Sequence, residues 1–102
     1  MNYRVKIPPE ARQEIGTWGL AREQIVALFL EIHDIPNRLD SMWRLAAPMP
    51  TWVVKIDMPV AGSPIQRHNM TFYLTETEEE GVLLVVQCDH DIDDDLGEEE
   101  TQ

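Results

Sequence analysis

Three runs in the second half of the chain place apolar residues at every second position, and that period of two constrains the fold more than any other feature. In Thr51–Met58, Trp52, Val54, Ile56 and Met58 share one face, while Thr51, Lys55 and Asp57 look the other way. In Asn69–Thr75, Met70, Phe72 and Leu74 oppose Thr71, Tyr73 and Thr75. Val82–Cys88 is apolar on both faces, which predicts the central strand of the sheet. Pro59–Gln66 reads as a loop, because it carries Pro, Gly and Ser. Glu78–Gly81 reads as an acidic hairpin turn, with Gly81 free to take a positive φ.

The first half keeps a different period. Tyr3, Val5 and Ile7 alternate with Arg4 and Lys6, a fourth half-buried strand. Pro8-Pro9 ends it and suits a helix start, with Glu10 favourable in the first turn. Ala11, Ile15 and Trp18 then line one side of a short helix, closed by Gly16 and Gly19. A longer helix from about Ala21 carries the stripe Ile25, Leu28, Phe29 and Ile32 and stops at Pro36. Leu39, Met42, Trp43 and Ala46 are spaced for one more helical piece before Pro48 and Pro50. The order β-α-α-β-β-β predicts a two-layer α+β domain, with a helical pair on one face of a mostly antiparallel sheet. That domain is expected over residues 1–90, with an acidic, disordered tail over residues 91–102.

Charge divides the 102-residue chain at the last hairpin. Residues 1–75 hold eight Lys/Arg and seven Asp/Glu, whereas Glu76 to Gln102 holds twelve Asp/Glu and no cation. The formal net charge of −11 therefore belongs to the last quarter, and the body can still approach an anion. One cysteine, Cys88, excludes an intrachain disulfide and reads as a small buried hydrophobe. No apolar leader opens the sequence and the longest aliphatic run is far short of a membrane span, so a cytoplasmic protein without membrane contact is expected. No cofactor motif is present.

The strand periods put Arg4, Lys6, Lys55 and Tyr73 on the sheet face away from the helices. A cationic face with an aromatic on it fits a nucleic acid or another partner, although charge on a solvated strand face is also the ordinary case. His33, in the long helix next to the apolar stripe, is expected to be a packed or boundary histidine, and His68 a surface residue beside Arg67. His90, between Asp89 and Asp91, is expected to favour its protonated form and so to be a candidate general acid. The tail has three readings. It is a solvated run, or a cover folded back over Arg4, Lys6, Lys55 and Arg67, or a calcium loop. In the last case Asp89, Asp91, Asp93 and Asp95 take the alternating ligand positions and Glu100 the bidentate one, with Asp94 where the loop needs Gly.

The stretch YRVKIPPEARQEI resembles the opening of the RelE/ParE superfamily of toxin–antitoxin toxins: a short strand, a Pro turn and a helix with an Ala-Arg pair. NMTFYL, a turn and VLLVVQCDH are similar to that family's closing hairpin. The resemblance covers about residues 2–90 and marks a divergent, acidic member. It implies one of two activities: metal-free cleavage of mRNA on the ribosome, or poisoning of DNA gyrase, with an antitoxin as partner. For the ribonuclease it implies catalytic roles for Lys55, Arg67, His68 and His90, because such cleavage needs a base, a cation at the phosphorane and an acid. Asp89 stands where RelE-like enzymes carry an Arg, so a catalytically degenerate toxin is within the same expectation. The alternative is a non-enzymatic protein-interaction module with an acidic C-terminal tail.

Overall fold

The computed structural model describes residues 3–41, 43–45 and 51–94. It is an α+β fold with two α-helices on one face of a mixed sheet. Strand β1 (Arg4–Lys6) leads into α1 (Pro9–Gly16) and α2 (Arg22–His33). A 3₁₀ segment, Ile35–Ser41, precedes a short strand β2 (Trp43–Leu45) and three long ones, β3 (Thr51–Pro59), β4 (Gln66–Glu76) and β5 (Val82–Asp94). The sheet runs β1-β5-β4-β3-β2; β1 is parallel to β5 and the other neighbours are antiparallel.

The core follows the two periods. Ala11 and Ile15 from α1, Trp18 just beyond it, and Leu28 and Ile32 from α2 meet Val5, Trp52, Val54, Ile56, Met70, Phe72, Leu74, Leu83 and Val85 from the sheet. Pro8 caps α1 with extended backbone, which its fixed φ favours. Arg12 ties the helices together: its Nε donates to the Ile7 carbonyl at 3.2 Å and its guanidinium lies 5.3 Å from the Phe29 ring centre. Gln24 fastens α2 to the sheet, accepting from the Ala21 N–H at 2.9 Å and donating to the Pro59 carbonyl at 2.5 Å. Gly81 takes φ +79° in the last hairpin, a conformation that disfavours any side chain.

Five expectations need correction. The central strand is β4, not the apolar run of β5, which lies second from the edge with only the three-residue β1 outside it. The sheet has a further short strand, because residues 43–45 pair with β3 instead of forming a helical piece; Met42 and Ala46 lie outside the described residues. Strand β4 starts at Gln66, so Arg67 and His68, expected between the loop and the strand, belong to the strand itself. Strand β5 continues to Asp94, so the first four residues of the expected tail are paired strand. His33 is exposed on the last turn of α2, where a histidine suits the helix dipole, and is neither packed nor half-buried at the edge of the apolar stripe. Among the described residues, no helix is long and apolar enough to cross a membrane.

Candidate functional site

Strand register decides which candidate residues can meet. On β4 the even-numbered residues His68, Met70, Phe72 and Leu74 point to the helices, and Arg67, Asn69, Thr71, Tyr73 and Thr75 point away. Pairing carries the same sides to the neighbours, giving rows across the uncovered face: Lys55–Thr71–Asp89, Asp57–Asn69–Asp91 and Pro59–Arg67–Asp93. Arg4 and Lys6 flank Val5 on β1, and Tyr73 lies between Val53 and Gln87.

Arg4, Lys6, Lys55, Arg67 and Tyr73 thus share the uncovered face, as their strand periods imply. The face is not cationic, however. Asp57, Asp89, Asp91 and Asp93 stand on it too, one carboxylate for each cation. Arg67 donates to the Asp57 carboxylate at 3.0 Å, and Arg4 to Glu79 of the last hairpin at 2.6 Å. Asn69 Nδ2 donates to Asp93 Oδ2. Asp89, Asp91 and Asp93 lie in line along an extended strand, not around a curled loop. Among the described residues, no three His, Cys, Asp or Glu side chains converge on a metal position; Asp95 and Glu100 lie outside those residues.

His68 and His90 lie on the other side of the sheet, His68 buried and His90 half-buried. His68 is 1% exposed, because it continues the inward series of Met70, Phe72 and Leu74. His90 opposes Met70 across the ladder, so the two imidazoles are diagonal neighbours. His68 Nδ1 lies 2.9 Å from His90 Nε2, and the His90 ring stacks on Trp18 with centres 4.9 Å apart and planes 10° from parallel. Glu14 stands close by, accepting a long contact of 3.5 Å from Trp18 Nε1.

His68 Nε2 is buried with no hydrogen-bond partner among the described residues, and this favours one tautomer. A hydrogen on His68 Nδ1, donated to His90 Nε2, leaves only a lone pair in the apolar core. The opposite tautomer would bury an unpaired N–H, which costs more.

Burial, reinforced by the neighbouring His90, holds His68 below the usual histidine pKa. Burial also lowers His90, outweighing the carboxylates of Asp91 and Glu14 that raise it. His90 therefore does not favour the protonated form expected from its flanking aspartates. Cys88, half-buried on the same side of β5, has its thiol pushed up, first by burial and then by Glu14 and Asp89, which disfavours the reactive thiolate.

The four residues expected to cut RNA are therefore separated. Lys55 and Arg67 lie on one side, and His68 and the Trp18-stacked His90 on the other, with the sheet backbone between them. Sequence reading assigned Lys55 to its face correctly but missed the histidine pair. The signal was present: extending the period of two from Met70 back to His68, and from Cys88 on to His90, puts both rings inside. Compared with protein-family models, curated proteins and solved structures, the chain matches none.

Proposed function

We propose that the chain is a divergent RelE/ParE-like protein that acts by binding a macromolecular partner, an antitoxin or a target, and not by cutting RNA. The observation that carries this reading is the separation of Lys55 and Arg67 from His68 and His90 by the thickness of the sheet. Metal-free cleavage needs its base, its cation and its acid around one phosphate. Here His68 is buried and its partner His90 half-buried, both held below the usual histidine pKa, and the cations share their face with Asp57, Asp89, Asp91 and Asp93. A carboxylate row beside a scissile phosphate raises the barrier that such an enzyme must lower.

The order of elements supports the family part of the reading: a strand, two helices and a closing antiparallel hairpin whose last strand begins with an aliphatic run. A free-standing protein-interaction module on the same fold is the second reading. Its specific support is the carboxylate line Asp89–Asp91–Asp93 on an ordered strand, a surface suited to a basic protein.

Controlled expression with a growth readout, beside an mRNA-cleavage assay on ribosomes, tests the proposal. The purified chain is expected to leave mRNA intact, and the Lys55→Ala/Arg67→Ala variant to have the same effect on growth as the parent. Cleavage that disappears in that variant would overturn it. Growth arrest relieved by a neighbouring small gene product selects the toxin reading, whereas no arrest together with capture of a basic protein selects the module.

A further inference from the structure

Strand β5 is 13 residues long and β1 only 3, so the parallel pairing ends at Leu84. Beyond Lys6 the chain leaves the sheet through Ile7 and Pro8 and climbs into α1. Among the described residues, no strand pairs with the outer edge of β5 from Val86 to Asp93. A groove of about 560 Å³ runs along the start of that edge, lined by Pro8, Glu10, Ala11 and Glu14 from the helix side and by Leu84–Cys88 from the strand. A β-bulge opposite Tyr73/Leu74 leaves Val86 outside the ladder register and 52% exposed; farther along, Ile92 is 46% exposed.

We propose that this edge of β5 is a docking site for an extended basic peptide segment of a partner protein, which adds a strand in line with β1. The inference rests on the binding function proposed above and names its site and its partner chemistry. An added strand lies about 4.8 Å from β5 and sends alternate side chains to opposite faces. Those on the uncovered face fall beside Asp89, Asp91 and Asp93; those on the other face meet Cys88, Ile92 and the groove under α1. The matching partner therefore alternates Lys or Arg with apolar residues.

Charge decides among occupants. The chain's own C-terminal residues carry Glu98, Glu99 and Glu100, and a second copy would bring a second Asp89–Asp91–Asp93 row; both set carboxylate against carboxylate. Charges on an exposed edge are also the usual defence against self-pairing. Here the same carboxylates that repel acidic strands attract a basic one, and the groove and Val86 supply apolar contact that defence alone does not require.

The test uses the full chain and the heptapeptide Lys-Val-Lys-Val-Lys-Val-Lys, with amide hydrogen exchange as the readout. Two control peptides accompany it: one N-methylated at alternate residues, the other with Glu for every Lys. The basic peptide is expected to slow exchange across Val86–Asp93 and to lose its binding at about 0.5 M salt, where screening acts within about 4 Å. Neither control should protect the strand, and Asp89→Lys/Asp91→Lys should weaken binding about ten-fold. Equal binding of the N-methylated peptide would reduce the site to an acidic patch and overturn strand addition. So would peptide binding that appears only after residues 95–102 are removed, or a concentration-dependent dimer that protects the same amides. RNA cleavage by the protein would instead defeat the binding reading itself, whatever the peptide does.

Discussion

Replacing Trp18 with alanine is expected to cost about 3–5 kcal/mol, a large share of the roughly 5–15 kcal/mol that holds a domain of this size together. Trp18 follows α1, is 6% exposed, and touches two elements of the sheet. Its ring lies 6.0 Å from Phe72 on β4 and 4.9 Å from His90 on β5. Removing the indole leaves a cavity over both strands and withdraws the lid from the histidine pair. Chemical denaturation followed by circular dichroism measures the loss, and a loss under about 1 kcal/mol would show that the site refills without Trp18. The variant has a second expected signature. Burial is the main cause of the depressed His90 pKa, so its titration, followed by NMR, should move up toward 6.5 in Trp18→Ala. Trp18→Phe should recover the larger part of both effects.

The second large effect is acid sensitivity. His68 and His90 are both held below the usual value of 6.5 in the fold and return to it on unfolding. Between the folded and unfolded values the unfolded chain binds more protons, so stability falls with falling pH. Their contribution is complete above pH 6.5, declines as the pH drops below it, and levels off beneath the folded values. The charged groups that act on His90 are Glu14 from α1 and Asp91, its neighbour on β5, which points to the opposite face. The carboxylates of Asp91 and Glu14 soften the shift of His90 without reversing it. A thermal melting series between pH 7 and 5 should show the midpoint falling, and His68→Leu/His90→Leu should remove most of that fall. An unchanged slope in the double variant would place the acid sensitivity elsewhere.

Both predictions depend on residues whose inward placement was missed in the sequence for one reason. His68 and His90 each sit next to charged residues, Arg67 in one case and Asp89 and Asp91 in the other, and that composition reads as surface. Strand geometry is indifferent to it: alternate side chains take opposite faces, so a polar neighbour says nothing about which face a histidine takes. The burial of Trp18 was legible, because Ala11, Ile15 and Trp18 repeat at helical spacing. Its contact with a histidine some seventy residues later was not, because nothing local links them.

Local pattern determined the two helices, the strands β1, β3 and β4 along most of their length, their inward faces, and the positive φ of Gly81. These follow from periodicity, proline stereochemistry and the missing glycine Cβ, all of which act within a few residues. Tertiary structure alone decided that β1 lies beside β5, that it covers only three of its residues, and that Asp91 and Asp93 are strand residues on the face shared with Lys55 and Arg67. An aspartate-rich segment has little strand propensity of its own. It is extended here because β4 offers a ladder as far as Gln66, and pairing with that ladder outweighs the local preference. The segment Asp89–Asp94 thus becomes strand through its neighbour, and, among the described residues, the unequal lengths of β1 and β5 leave its outer edge open.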